Sequence, residues 1–275
     1  MQAGAGGELS NSKAPRTRPF GRLYTRRHRA LVERALASPE LIEAFGDDGR
    51  SLPPGYGIGF DERVVEFPWL AAHRPAGAAL DAGSTLNHAH VLSYFLPAVS
   101  PLTVVTLAPE PVAFPELGVS YLYADLRNLP FKDNLFETTI SLSTLEHVGM
   151  DTSLYTGAAE GNRPENPLGE MQLAMRELRR VTKPGGRILV SVPYGRAEDH
   201  GWLLQFDRQS LAGLTDAVDG CPIETTVFQY GESGWRHSTL EEAANAEYHD
   251  VHADSERQRD GAAAARAVAC LSIAV

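Results

Sequence analysis

The sequence predicts an α/β protein with a mostly parallel central sheet. After Pro75, short apolar runs that favour β-structure alternate with helical or loop segments, and seven such runs precede the C-terminus. An apolar helical stripe also ends at Lys183-Pro-Gly-Gly186 and is followed directly by the strand-like run Arg187–Val192. Strands that alternate with helices are typical of βαβ units, whose strands lie parallel.

The first 75 residues show a different pattern. Residues 1–20 are rich in Gly, Ala, Ser and Pro without apolar periodicity, which predicts a mobile tail. The spacing of apolar residues over Leu23–Phe45 predicts two helices that break near Ser38-Pro39, with Ser38 as cap of the second. A turn-rich stretch then leads into a short helix near Asp61–Trp69. We therefore expect a tail (1–20), a helical cap (21–75) and a sheet domain (76–275).

Seven strands are expected in the sheet domain. They are Ala78–Ala82, Thr103–Leu107, Val119–Tyr123, Thr138–Leu142, Arg187–Val192, Thr225–Tyr230 and Ala267–Ala274. A helix over His88–Phe95 should follow the first strand, and the best-marked helix, with its stripe from Met171 to Val181, precedes the fifth. The connection Gly231–Gly261 is long enough to form a substrate-side helix or flap.

Composition narrows the function. The 275 residues carry 25 Lys plus Arg against 35 Asp plus Glu, a net charge of −10, which disfavours nucleic acid and anionic membranes as partners and favours a small-molecule substrate. The exception is the arginine-rich segment Arg16–Arg29, either a solvated helix face or a lid that contacts an anionic ligand. Two isolated cysteines exclude a disulfide framework, and no apolar run has the length of a membrane span or a signal peptide, so we expect a cytoplasmic protein. The oligomeric state is not indicated.

The turn after the first strand is the first candidate site. It reads Leu80-Asp-Ala-Gly-Ser-Thr-Leu-Asn-His88, in which Gly83 lets the backbone approach a ligand and the following helix start offers free N–H groups. An ordinary strand-to-helix turn would read the same way. Because only one glycine of a G-x-G-x-x-G fingerprint is present, NAD is disfavoured.

Two further candidate sites lie at strand ends. Asp125 closes the third strand, where its carboxylate could accept a hydrogen bond from the exocyclic amine of a nucleobase while Leu126 packs on the ring. The fourth strand ends in Ser143-Thr-Leu-Glu-His-Val148, and its Glu146-His147 pair is either structural or suited to acid–base chemistry.

Together these segments resemble the class I S-adenosylmethionine-dependent methyltransferases that modify small molecules. Asp81-Ala-Gly83 resembles the first motif, Ala124-Asp-Leu126 the adenine-contacting motif, and Ser143–Val148 the fourth-strand motif. The segment Glu177–Val190 is similar to the helix, turn and fifth strand of that family and is the most specific of the four. The order is preserved from about Ala78 to Val192 and more loosely beyond.

The resemblance implies a Rossmann-like, seven-stranded, mostly parallel sheet with helices on both faces and an antiparallel last strand inserted between the fifth and sixth. It also implies S-adenosyl-L-methionine as cofactor. The residues expected to bind it are Asp81, Gly83, Ser84, Asn87, Asp125, Leu126 and Ser143. The family's further glycines after the first are missing, and the acid that usually ends the second strand is replaced by Thr106 or Leu107, so Glu110 would have to reach back.

On this interpretation we expect the protein to transfer a methyl group to a hydroxyl of a sugar or secondary metabolite. His147 is the first candidate for a general base and His200 the second, with Glu146 or Asp199 as orienting partner. No metal site is expected. Tyr194, Trp202 and Phe206 either wall the acceptor site or belong to the core.

Two other hypotheses remain open. The missing glycines and acid are compatible with a noncatalytic S-adenosylmethionine-binding or scaffold protein of the same fold. A nucleotide-sugar or NAD-dependent enzyme is the other possibility, and titration with either cofactor would distinguish them.

Overall fold

The computed structural model describes residues 20–46, 49–157, 164–250 and 264–275. Apart from Phe20, the predicted N-terminal tail lies outside the described residues, as do residues 158–163 and 251–263. In the described part of the chain, no helix is long and apolar enough to cross a bilayer.

An eight-stranded sheet forms the centre of the protein. Its strands in chain order are β1 (Gly77–Ala82), β2 (Val99–Thr106), β3 (Val119–Tyr123), β4 (Phe136–Leu142), β5 (Thr182–Pro193), β8 (Ile223–Gly231), β9 (Gly234–Ser238) and β12 (Ala267–Ala274). Two short pairs stand apart from it, namely β6 (Glu198–Asp199) with β7 (Leu204–Gln205) and β10 (Tyr248–His249) with β11 (Ala264–Ala265).

The strand order confirms the predicted topology. The spatial order is β3-β2-β1-β4-β5-β12-β8-β9, and the pairs from β3 to β5 are all parallel. The last strand β12 runs antiparallel to both β5 and β8, between which it is inserted. All seven predicted strands are present, with ends shifted by a few residues.

The eighth strand, β9, was not predicted. It pairs antiparallel with β8 as a hairpin at the sheet edge, within the segment expected to form a helix or flap. Trp235 on β9 is buried and stacks edge-on against Tyr230, and the Nε2 of His237 lies 2.6 Å from the carbonyl oxygen of Ala44. This part of the connection is therefore core structure, whereas residues 251–261 of the same segment lie outside the described residues.

Helices cover both faces of the sheet. They are α1 (Arg22–Leu36), α2 (Pro39–Gly46), α3 (Arg63–Ala72), α4 (Ala89–Phe95), α5 (Ser153–Thr156), α6 (Pro167–Val181) and α7 (Arg208–Thr215). The apolar residues of α1 to α4 pack in one core with sheet residues such as Ile140 and Leu189, and those of α6 and α7 pack with Leu80 and Val190 in a second. Single turns of 3-10 helix lie at Pro115–Leu117, Leu145–His147 and Asp216–Val218.

Two local features follow the sequence closely. The backbone N–H of Leu41 donates to Ser38 Oγ at 3.3 Å, so Ser38 caps α2 as predicted. The predicted reversal at Lys183–Gly186 occurs as a bulge, because Thr182 pairs with Phe136 whereas Arg187 pairs with Thr138. Strand β5 therefore begins directly after the last residue of α6, and the bulge lies within its first residues.

Candidate functional site

A cavity of about 900 Å³ lies at the carboxyl ends of β1 to β4. Its walls are the turn after β1 (83–85), the end of β2 with the loop that follows (105–111), the segment after β3 (124–127), and the segment after β4 that includes Ser143, Thr144 and His147. Ligands of open α/β sheets bind at the carboxyl ends of the strands, next to the point where the chain continues to one side of β1 with β2 and β3 and to the other side with β4 and β5.

The turn after β1 is built around a buried carboxylate. Asp81 accepts hydrogen bonds from the backbone N–H groups of Thr85 at 3.2 Å and Leu86 at 2.8 Å, and burial raises its pKa to about 7. Gly83 has φ +123°, and a Cβ there would lie 2.1 Å from Thr144 Oγ1. Asp81 is thus a fully buried shaping residue, whereas Gly83 and Ser84 line the cavity.

Ser84 and Asn87 differ in their surroundings. The Ser84 hydroxyl is buried on the cavity wall and has no hydrogen-bond partner among the described residues. The Asn87 amide instead donates to the carbonyl oxygen of Val112 at 2.8 Å and accepts from the Tyr121 hydroxyl at 2.7 Å. Asn87 therefore fixes the loop after β2 and lines a second cavity rather than the first.

At the end of β3, Asp125 and Leu126 both line the first cavity. The Asp125 carboxylate is already paired, since Arg127 donates to it from Nε at 3.0 Å and from Nη2 at 2.5 Å. The hydrogen bonds from Arg127 lower the pKa of Asp125, and Arg127 also reaches Glu170 at 2.5 Å. The predicted adenine contact is thus a carboxylate oriented by a neighbouring guanidinium.

The end of β2 carries no acid, but Glu110 lies on the wall of the same cavity. Its negative charge is one of the influences that raise the pKa of Asp81, which places the two carboxyl groups within electrostatic reach of each other. Thr106 and Leu107 line the cavity beside it. The acid expected to reach back from the loop after β2 is therefore at the cavity.

Ser143 at the end of β4 belongs to a buried network. Its hydroxyl donates to Glu66 Oε1 at 2.5 Å, and the Ser191 hydroxyl donates to the same oxygen at 2.6 Å. The other oxygen of Glu66 accepts from the Arg63 guanidinium. This network connects α3 of the helical cap to β4 and β5 directly beneath the cavity.

His147 lies where two cavities meet. Its Nδ1 is 2.8 Å from the carbonyl oxygen of Trp202, and its ring stacks on the indole with centroids 5.1 Å apart. Burial lowers the pKa of His147 to about 4, so the ring is neutral near pH 7 and, with its proton on Nδ1, has its lone pair on Nε2. Glu146 Oε1 is 3.8 Å from that Nε2, and burial raises the pKa of Glu146.

The second cavity, of about 630 Å³, lies between the helical cap and the sheet domain. Arg63, His88, Ser143 and His147 line both cavities. The other walls of the second cavity include Tyr24, His28, Asp61, Glu62, Phe67, Glu146, Trp202 and Tyr248. Two adjoining cavities that share His88 and His147 on their common wall can hold two reactants side by side.

The chain was next compared with known proteins. Residues 80–190 match a protein family described as "Methyltransferase domain". This segment is therefore similar to a methyltransferase domain. The match confirms the resemblance to class I S-adenosylmethionine-dependent methyltransferases, and with it S-adenosyl-L-methionine as the cofactor. No curated protein sequence matches the chain.

Solved structures similar to the chain include three at low sequence identity. The [4+2]-cyclase SpnF is 22% identical with TM-score 0.40, over 57% of this chain and 56% of that one, so the chain spans about half the length of SpnF. The Burkholderia thailandensis 1,6-didemethyltoxoflavin-N1-methyltransferase is 16% identical with TM-score 0.45, over 75% and 74%. The N-methyltransferase NodS from Bradyrhizobium japonicum is 14% identical with TM-score 0.47, over 78% and 94%.

The first cavity, which the matched segment mostly lines, fits S-adenosylmethionine. It combines the unpartnered Ser84 hydroxyl and the Gly83 turn with the carboxylates of Asp125 and Glu110 and the apolar side chain of Leu126. Those groups offer hydrogen bonds to a nucleoside and an apolar contact to its base. Ser84, Glu110, Asp125 and Leu126 are accordingly the residues that would hold S-adenosylmethionine.

His200, the second candidate base, lies outside the walls of both cavities. Its Nε2 is 3.9 Å from Glu198 and its Nδ1 is 4.0 Å from Asp250, and its ring packs against Tyr248. Asp199, proposed as its orienting partner, accepts from the backbone N–H of Gly201 instead. Its placement therefore gives the base role of His200 no support.

Of the three aromatic residues after β5, Trp202 lines the second cavity, and neither Tyr194 nor Phe206 lines either of the two cavities described above. Tyr194 and Phe206 are fully buried in the core beneath β5. Of the two roles expected for them, a wall of the acceptor site or part of the core, both therefore have the second. In the described residues no group of three or more His, Cys, Asp or Glu side chains is arranged to hold a metal ion.

Sequence reasoning missed most residues of the second cavity. Tyr24, Asp61 and Glu62 lie in segments interpreted only as cap helices. The Tyr24 hydroxyl donates to Asp61 Oδ2 at 2.8 Å across 37 residues of sequence, a contact that no local pattern encodes. The one available signal was the cluster Asp61-Glu-Arg63 at a helix start, which is unusual beside an apolar run.

Proposed function

We propose that the chain is an S-adenosylmethionine-dependent methyltransferase that methylates a hydroxyl group of a small molecule, a sugar or a secondary metabolite. The observation that supports this proposal is the position of His147 between the cofactor cavity and the second cavity. A group at that boundary can take a proton from an acceptor in the second cavity while a methyl donor lies in the first.

The residues of the chain supply positioning and proton transfer. When bound, S-adenosylmethionine supplies the methyl group, and the electron pair of the broken carbon–sulfur bond stays with sulfur. The acceptor hydroxyl passes its proton to His147 Nε2, whose opposite nitrogen is held by the Trp202 carbonyl. Oriented pairs of this kind gain about 7–11 kcal/mol from positioning, and a general base contributes about 10²–10⁴-fold.

Glu146 is suited to support the protonated imidazole. Its carboxyl group lies 3.8 Å from His147 Nε2 and is almost completely buried. Burial raises the pKa of this carboxyl, so it is its ionised form, which the developing imidazolium would favour, that lowers the free energy of the cation. The pair therefore provides a base that is neutral at rest and partly compensated when charged.

The experiment that tests this proposal has two stages, cofactor binding and methyl transfer. Calorimetry with S-adenosylmethionine measures cofactor binding, and release of S-adenosylhomocysteine measures transfer to a panel of hydroxyl compounds, each paired with its methyl ether as a blocked control. His147→Ala should lower turnover by about 10²-fold or more with little change in cofactor affinity. His73→Ala, a change at the far end of α3, serves as the matched histidine control.

Two results would count against the proposal. Equal loss of turnover and cofactor affinity in His147→Ala would refute the base role. Cofactor binding without transfer to any hydroxyl compound would favour the noncatalytic binding or scaffold protein instead.

A further inference from the structure

Two buried carboxyl groups of the second cavity lack hydrogen-bond partners. Glu62 and Glu146 line this cavity with 9% and 3% of their surface exposed. In each, the Oε2 atom has no hydrogen-bond partner within the described part of the chain. Buried polar atoms are rarely left in this state without a ligand to satisfy them.

The neighbouring acids Asp61 and Glu66 are already matched. Asp61 accepts from the Tyr24 hydroxyl at 2.8 Å and lies 2.9 Å from His28 Nε2. The Arg63 guanidinium pairs with Glu66, whose other oxygen takes the hydroxyls of Ser143 and Ser191. The unmatched hydrogen-bonding capacity of these acids therefore lies on Glu62 and Glu146.

The electrostatics of these two groups point in the same direction. Burial raises the pKa of Glu62 to about 8 and raises that of Glu146 as well, and the charge of Glu62 contributes to the shift of Glu146. Both carboxyl groups therefore gain most from a ligand that brings positive charge.

Aromatic rings form the apolar part of the same cavity. Tyr24, Phe67, Trp202 and Tyr248 all contribute to its wall. The faces of such rings attract cations, most strongly where water is excluded. Rings together with buried carboxyl groups make a setting that favours a cationic ligand over an anionic one.

We propose that the second cavity selects an acceptor that carries an ammonium group, bound by Glu62 and Glu146 against the aromatic wall, while a hydroxyl of the same molecule faces His147. The inference rests on the proposed function, because it names the acceptor class of the same site. An ammonium group has three donors and a positive charge, which match two carboxyl groups with one unsatisfied oxygen each. A neutral hydroxyl would satisfy the oxygens but would bring no positive charge.

The test compares amines with neutral analogues of nearly the same shape. Binding of D-glucosamine and D-glucose, and of tyramine and tyrosol, is measured by calorimetry at neutral pH on the full chain saturated with S-adenosylhomocysteine and on the chain alone. We expect the amine of at least one pair to bind roughly tenfold more tightly than its neutral partner, since a hydrogen bond to a charged group contributes about that factor. Equal affinities, or no binding of any amine at millimolar concentration, would overturn the inference.

Variants separate recognition from packing. Glu62→Gln keeps the shape of the side chain and should remove the preference for the amine, whereas a purely structural loss would weaken both members of a pair alike. Glu146→Gln should act in the same way and carries the test if Glu62→Gln does not fold. Glu43→Gln, at an exposed position of α2 paired with Arg50, is the control and should retain the preference.

The binding measurement distinguishes the two levels of the proposal. Amine binding without methyl transfer would leave the ammonium site intact and contradict the methyltransferase reaction. Methyl transfer to neutral hydroxyl compounds without a preference for amines would support the methyltransferase reaction and contradict the ammonium site.

Discussion

The Nδ1 atom of His147 lies 2.8 Å from the carbonyl oxygen of Trp202, and the two rings stack with an interplanar angle of 22°. Trp202 is itself held, because its indole N–H donates to Asp250 Oδ2 at 2.9 Å. Since a backbone carbonyl accepts only from a protonated nitrogen, this contact places the imidazole proton on Nδ1 and the basic lone pair on Nε2. Trp202 is therefore a positioning residue for His147.

The first prediction concerns the Trp202 side chain. Trp202→Ala retains the carbonyl but removes the stacking surface, so the imidazole should lose its fixed orientation, and turnover should fall about 10- to 100-fold, in line with the cost of small misplacements. Because Trp202 does not line the cofactor cavity, the Kd for S-adenosylmethionine should stay within about twofold of that of the wild type.

Trp202→Phe is the informative partner variant. It restores an aromatic face without the hydrogen bond to Asp250 and should recover part of the turnover. A rise in the cofactor Kd that parallels the fall in turnover would mean that Trp202 supports the whole site rather than His147.

The second prediction concerns Glu110 and the missing acid at the end of β2. Glu110→Gln removes the negative charge that the loop presents to the cofactor cavity and should raise the Kd for S-adenosylmethionine about tenfold, the expected contribution of a hydrogen bond to a charged group. Calorimetric titration measures the change. Glu116→Gln, an exposed acid outside both cavities, is the matched control, and identical Kd values for the two variants would exclude Glu110 as a cofactor ligand.

The third prediction concerns the turn that shapes the cofactor cavity. Gly83 and Gly118 both have positive φ, at +123° and +79°, but a Cβ at Gly83 would collide with Thr144, whereas no atom of the described residues lies within 4 Å of one at Gly118. Gly118→Ala should cost only the strain of the left-handed backbone, about 1–2 kcal/mol of the free energy of unfolding. Gly83→Ala should cost about 3 kcal/mol or more, because overpacking is added to strain. Urea unfolding of the two variants tests this difference, and equal losses would contradict it.

The sheet could be predicted from sequence because its signals are local. Apolar runs, the helix stripe from Met171 to Val181 and the glycines at 185 and 186 each act within a few residues. Strand β9 was not predicted because apolar and polar residues do not alternate regularly in Gly-Trp-Arg-His-Ser. Its pairing depends on the hairpin with β8 rather than on its own composition.

The residues of the candidate site likewise fall into a group that local sequence patterns predict and a group that they do not. Residues at strand ends, such as Gly83, Asp125 and His147, were found because parallel strands bring their carboxyl ends together. The second cavity depends on contacts between distant segments, as between His147 and Trp202, which lie 55 positions apart. A distance of that kind follows from tertiary packing and leaves no periodic trace in the sequence.

The fourth prediction is a pH dependence of stability that originates at Glu62. Burial raises the pKa of Glu62 most, the charges of Asp61 and Glu66 raise it further and that of Arg63 lowers it, and the result is a pKa of about 8 against a usual value of 4.5. Between these values the folded protein binds a proton that the unfolded chain has released. The free energy of unfolding should therefore decrease as pH rises from about 4.5 to 8, by up to about 1.4 kcal/mol per pH unit from this one group.

Glu62→Gln removes the titration while it keeps the shape of the side chain. Its free energy of unfolding should therefore exceed that of the wild type increasingly from pH 5 toward pH 8, as measured by urea unfolding across that range. Glu43→Gln, in which an exposed carboxyl is changed, should show no such divergence. Parallel curves for Glu62→Gln and the wild type would show that Glu62 is ionised in the folded protein, and a buried anion at this position would then have to be compensated by Arg63.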